Sequence, residues 1–236
     1  VEIVGNFYDD NCDGWADFDG ELPRPVLTLT DNSIDSCGIG INSFGAGVTL
    51  NAPGDALTGN VISNTEDEAI LLRSRTWGAT PALSPGTLEL AAGNTLGPTG
   101  EECVHVNGES ATATLGAANL TECGTYGVSQ TSGGTLTLVG TTITEAAAAA
   151  INLTAGTLLI SGGTIISGPS SVGLQMNGGQ ASVDGLMISS AVDQGVVLSA
   201  GNLELIAADI SGTTSDGITV LGGSLVGSSG LSVTGS

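Results

Sequence analysis

Five glycines, Gly134, Gly156, Gly179, Gly201 and Gly223, stand at intervals of 22, 23, 22 and 22 residues. Each opens the same phrase, a turn followed by alternating apolar residues. A fixed period of this size marks a solenoid, in which each repeat buries its face only against its neighbours. One unit runs Gly134, Leu136, Leu138, Ile143, Ala146, Ile151, Leu153; the next runs Gly156, Leu158, Ile160, Ile165, Leu174, Met176. The apolar residues come in pairs one residue apart, which puts both on one face of a short strand. Gly, Ser, Thr, Asn and Asp separate the pairs, which is turn chemistry. Two or three short strands per unit make one coil of a parallel β-helix, with aliphatic columns inside and Thr/Ser ladders outside.

The alanine run Ala146 to Ala150 is too short to stand as a helix and suits a tight corner. A leucine-rich repeat is disfavoured, because no asparagine recurs at a fixed offset. The pattern continues upstream less cleanly, through Leu27, Leu29 and Ile34, through Ile62, Ile70 and Leu72, and through Leu88, Leu90, Val104 and Val106. This gives about eight to nine coils and a rod on the order of 40 Å long. The segment from Arg73 to Pro85 breaks the period and is expected as a side loop. The organisation read from the sequence is an acidic segment over 1–24 and an all-β solenoid over 25–236, irregular to 110 and regular from 111. The last unit is still in pattern at Leu231 and Val233. The expectation is therefore a continuing chain or a head-to-tail self-association that grows into a filament.

The chain carries 24 acidic residues against three basic ones, Arg24, Arg73 and Arg75, for a net charge of −21. Nucleic acid and anionic membrane need basic surface and are excluded as partners. No run is long and apolar enough for membrane insertion as a helix. Eighteen acidic residues precede residue 123, so the regular half is nearly neutral. The four cysteines are Cys12, Cys37, Cys103 and Cys123. A small even number in a lysine-free, Ser/Thr-rich chain points to disulfides and an extracellular or cell-surface location. Cys103 and Cys123 lie 20 residues apart, close to one coil, and are expected to meet on adjacent coils. Cys12 would then pair with Cys37 and tie the acidic segment to the first coil.

One dense ligand cluster exists. Asp9, Asn11 and Asp13 alternate, Gly14 follows, and Asp17 comes four residues after Asp13. Hard oxygens at positions one, three and five of such a loop converge on Ca2+, the glycine allows the sharp turn, and the Trp15 carbonyl adds a ligand. Gly20 stands where a bidentate glutamate would close the site, so Asp19 or Glu21 would have to substitute. The string Asp9-Asp10-Asn11-Cys12-Asp13-Gly14-x-x-Asp17 resembles the D-D-N-C-D-G-x-x-D metal-binding motif of secreted proteins of myxobacteria and related bacteria. It is also similar to the calcium loops of thrombospondin type 3 repeats. That resemblance covers about fourteen residues and implies an extracellular setting, calcium and disulfides. The remainder resembles right-handed parallel β-helix repeat proteins.

Right-handed β-helices include enzymes that cleave polysaccharides, and the candidate residues here are Asp55, Glu66, Asp67, Glu68, Arg73 and Arg75. Sugar clefts carry aromatics, and only Trp77 lies near them. Glu66-Asp67-Glu68 reads as an exposed turn, and His105, between Val104 and Val106, points outward as a surface residue. An ice-binding threonine array was weighed on the T-x-T pairs Thr28/Thr30, Thr112/Thr114 and Thr135/Thr137, which show no common offset in consecutive coils. The sequence thus reads as a non-catalytic extracellular structural or adhesive protein, with a uronide lyase or hydrolase as the alternative.

Overall fold

The computed structural model describes residues 26–50, 59–77, 82–84, 86–168, 171–190, 193–227 and 230–235. The described residues form a parallel β-solenoid of about eight turns with no helix. The 9–19 segment expected to bind calcium, Cys12 and Asp55 lie outside them.

Each turn contributes one strand to each of three parallel sheets. The first sheet stacks Val26–Leu29, Gly47–Leu50, Thr87–Leu90, Thr112–Gly116, Thr135–Val139 and Thr157–Ser161. The second stacks Ser33–Asp35, Val61–Ser63, Thr95–Leu96, Asn119–Thr121, Thr142–Thr144 and Thr164–Ser167. The third stacks Ile41–Phe44, Ile70–Arg73, Val104–Asn107, Tyr126–Gln130 and Ala149–Leu153. Later, the continuous strands Val172–Ser189 and Gln194–Ser211 pass through all three sheets in turn.

The period-two pattern fills the interior as anticipated. Leu50, Leu90, Leu115, Leu138, Ile160 and Val183 form one buried column, and Ile62, Leu96, Leu120, Ile143, Ile166 and Ile188 form another. Each such side chain contributes about 1.5–3 kcal/mol by leaving water. The third sheet departs twice in one inward column: Ser43 is buried there and donates to the Ala46 carbonyl, and Gln130, between Val106 and Leu153, is fully buried with both amide atoms unpartnered. In the last turn Leu225 and Leu231 are only partly buried.

The repeating glycines earn their positions. Gly134, Gly156, Gly179, Gly201 and Gly223 all have φ between 77° and 101°. A Cβ on Gly179 would lie 2.7 Å from the Gly156 carbonyl oxygen on the turn below. The turn needs a left-handed residue and the stack leaves no room for a side chain.

Ala146 to Ala150 is no helix: Ala149 and Ala150 begin the strand Ala149–Leu153, and the preceding alanines make the corner. The side loop expected from Arg73 starts later. Arg73 still belongs to the coil, in register with Asn107, and the excursion contains an antiparallel pair, Arg75–Trp77 with Ala82–Ser84.

The threonine reading is corrected. Thr112 pairs with Thr135 and Thr114 with Thr137 on adjacent turns, and Thr28 pairs with Thr49. Thr112/Thr114 and Thr135/Thr137 therefore share a register, whereas Thr28 falls in the Thr114 column and leaves Thr28/Thr30 two places out of step. The array is short, because Glu89 precedes it in one column and Leu159 follows it.

The early turns also hold an interior ladder invisible in the repeat pattern. The Asn60 side chain donates to Asn94 Oδ1 (2.9 Å) and the Leu29 carbonyl (3.1 Å), and its Oδ1 accepts from the Asn32 backbone N–H (3.0 Å). Asn94 continues it, donating to the carbonyls of Leu50 and Ala91. Later turns place Ala118, Thr141 and Thr164 here, all fully buried. Cys103 and Cys123 form the anticipated disulfide between adjacent turns, with Cα atoms 5.4 Å apart and both side chains in the core. Cys37 is buried; its proposed partner, Cys12, lies outside the described residues.

Candidate functional site

The third sheet brings together on its outer face residues far apart in sequence. Ile70 pairs with Val104, so Glu68 and Glu102, each two residues earlier, occupy equivalent places on neighbouring turns. His105 follows Val104 and, with the inward Val104 and Val106 on either side, faces outward. The three side chains converge, each offering one ligand atom within 4.8 Å of the other two.

His105 Nδ1 lies 3.2 Å from Glu68 Oε1, and Nε2 lies 3.0 Å from Thr131 Oγ1 on the next turn. The carboxylate only accepts, so Nδ1 carries the proton in the first contact. The Thr131 hydroxyl then donates to a neutral ring or accepts from an imidazolium. Glu68 and Glu102 keep only 7% and 9% of their surface exposed. This corrects the reading of Glu66-Asp67-Glu68 as an exposed turn: Glu66 and Asp67 are exposed, but Glu68 turns in against the sheet. It also corrects His105, which is outward-facing yet largely enclosed and held at both nitrogens.

The two carboxyls are pushed in opposite directions. The hydrogen bond from His105 holds Glu68 below the ordinary glutamate value, against the opposing effect of burial. Burial raises Glu102, and the neighbouring carboxylates Glu68 and Glu101 add to the effect, partly offset by His105. Among the described residues no other side chain donates to the Glu102 carboxyl. Arg73 acts on Glu68 only as a weak charge at longer range, and its Nε is buried without a partner.

Along the same face, the place held by Glu68 and Glu102 passes to Tyr126, Ala149 and Val172 on later turns. Ala149, Val172 and Val197 pack there as a small apolar cluster with Tyr126 against it. In the His105 column, Ser129 and Asn152 follow, both buried, with the Asn152 amide donating to Ser129 Oγ. The outer face is thus a furrow, polar over the early turns and apolar over the later ones.

Of the sequence candidates, the structure gathers Glu68 with His105 and leaves Glu66 and Asp67 apart from them. Glu102 was missed. Its signal was present: Glu102-Cys103-Val104 repeats Glu68-Ala69-Ile70, a glutamate two places before the inward residue. The comparisons match no family model, no curated protein and no solved structure to this chain, so the resemblance of the 9–17 segment stands on its own residues.

Proposed function

We propose that this chain is a non-catalytic, extracellular structural or adhesive β-solenoid, stabilised by calcium at its acidic N-terminal segment and associating with second copies of itself. One observation carries the reading. Of the ten large apolar side chains exposed on the described residues, eight lie in the later turns: Val139, Leu159, Ile165, Met187, Val220, Leu221, Val226 and Val233. That half has six acidic residues and no basic one. A neutral outer surface studded with exposed aliphatics favours association over solvation.

Sedimentation velocity across a concentration series tests this. Leu221, in the last turn, is 73% exposed, and Met187, on the outer side of the second sheet, is 48% exposed. Leu221→Glu should abolish association if copies stack end to end; Met187→Glu should do so if they meet side by side. A monomer at all concentrations in calcium would overturn the proposal.

The second reading, a polysaccharide-active enzyme, rests on the carboxyl pair: Glu68 lowered and Glu102 raised from the ordinary glutamate value beside His105 is the kind of divergence an acid–base pair uses. Turnover of a uronide polymer that disappears in Glu102→Gln would replace the structural reading with this one.

A further inference from the structure

We propose that Glu68, Glu102 and His105 form a binding site for a divalent first-row transition-metal ion that clamps two adjacent turns together. The argument begins with charge. Two carboxyls and one imidazole sit in a furrow where the glutamates are nine-tenths or more buried. One imidazole can compensate only one of two carboxylates, and a buried charge without a partner is costly. Glu102 is the less compensated group: its ligand atom lies within 4.8 Å of the other two, and it has a backbone hydrogen bond but no side-chain donor among the described residues.

Geometry then selects the class of ion. Three donor atoms lie within 4.8 Å of one another, and the His105–Glu68 edge is 3.2 Å. Ligands at about 2.0–2.2 Å around a tetrahedral ion sit a little over 3 Å apart, so that edge is already near its liganded length. A nitrogen with two carboxylate oxygens suits Zn2+ or Mn2+; Ca2+ wants six to eight oxygens. The site is therefore chemically distinct from the aspartate-rich loop at the N-terminus.

Thr131 supplies the outer support. A metal-bound imidazole donates its other ring N–H to a fixed acceptor, which sets the ring's orientation. Thr131 Oγ1 stands 3.0 Å from Nε2. On binding, a neutral ring moves its proton from Nδ1 to Nε2 by exchange with solvent, whereas an imidazolium simply loses its Nδ1 proton; any proton on Glu102 leaves to solvent, Nδ1 turns its lone pair to the ion, and Nε2–H donates to Thr131. Glu68 comes from one turn, Glu102 and His105 from the next, and Thr131 from the one after, so the ion and its support join three turns.

Full-length chain stripped with chelator, then held in excess Ca2+ to fill the N-terminal loop, is titrated with Zn2+ by calorimetry. One Zn2+ per chain is expected, with a rise in the unfolding midpoint. His105→Ala and Glu102→Gln should each weaken the binding at least tenfold. Glu102→Gln in chelator should unfold at or above the wild-type midpoint, since it removes a carboxyl that burial disfavours in its charged form; this separates lost binding from lost folding. Thr131→Val retains all three ligands and should weaken Zn2+ by about 10–100-fold. Co2+ bound in place of Zn2+ should show no thiolate charge-transfer band. The proposal is overturned if wild type takes up no Zn2+, if the ligand variants bind as wild type does, or if the Co2+ spectrum reports cysteine ligation.

Discussion

Two glycines with the same backbone angle allow the stacking argument to be tested cleanly. Gly163 and Gly179 both have φ of 77°, but a Cβ on Gly163 would meet no atom within 4 Å, whereas one on Gly179 would lie 2.7 Å from the Gly156 carbonyl oxygen. Alanine in the left-handed region costs about 1–2 kcal/mol. Gly163→Ala should therefore lose about 1 kcal/mol, and the molecule already holds an alanine in the left-handed region at another corner, Ala117 at φ 47°. Gly179→Ala adds a collision with backbone that cannot swing aside, worth about 1–3 kcal/mol more as overpacking. Its total is about 2–5 kcal/mol. In a solenoid this loss falls on the interface between two turns, so the turns beyond it should fray first. Urea unfolding of the two variants gives the difference, and amide exchange across residues 194–211 locates it. Equal costs for the two substitutions would refute the claim that close stacking, rather than backbone angle, dictates glycine at the repeat position.

Removing the Cys103–Cys123 link by the double alanine variant should cost about 3 kcal/mol in urea unfolding, since it frees a loop of 20 residues in the unfolded chain. Asn60→Ala strips the Leu29 carbonyl and the Asn32 N–H of buried partners and should cost about 2–4 kcal/mol in the same assay. Asp35 accepts from the Asn64 side chain (2.7 Å), Ser63 Oγ (2.8 Å) and Ser36 Oγ (3.0 Å), which lower it below the usual aspartate value. Because its folded value is depressed, its stabilisation is present above the ordinary aspartate value and is lost as pH falls through the lowered one; Asp35→Asn should flatten that part of the acid-unfolding curve.

The repeat was legible because it is written in the glycines and in alternating aliphatics at constant intervals. The early turns were legible only in outline. The Asn32, Asn60 and Asn94 ladder falls at intervals of 28 and 34 residues, because insertions separate turns that are neighbours in space. The same insertions hid the furrow. Glu68 and His105 are 37 residues apart, and only the pairing of Ile70 with Val104 makes them neighbours. Of the threonine pairs, Thr112/Thr114 and Thr135/Thr137 stack in register on adjacent turns, while Thr28/Thr30 is out of step with them as the sequence suggested. The buried state of Glu68 was not legible, since a run of three acids is ordinarily solvated and the partner that covers this one, His105, comes from the next turn.

The later turns are nearly interchangeable. Their units have the same length within one residue and the same inward aliphatics, so a unit wound one place out of step would forfeit little contact in the aliphatic core. The marks that tell one turn from another sit early: the asparagine ladder spans three successive turns, and Cys103 can close only onto Cys123 while the turns between residues 96 and 128 are aligned. Correct order in the anonymous half is therefore inherited. Each turn takes its address from the one before it, and the count begins at the asparagines and the disulfide.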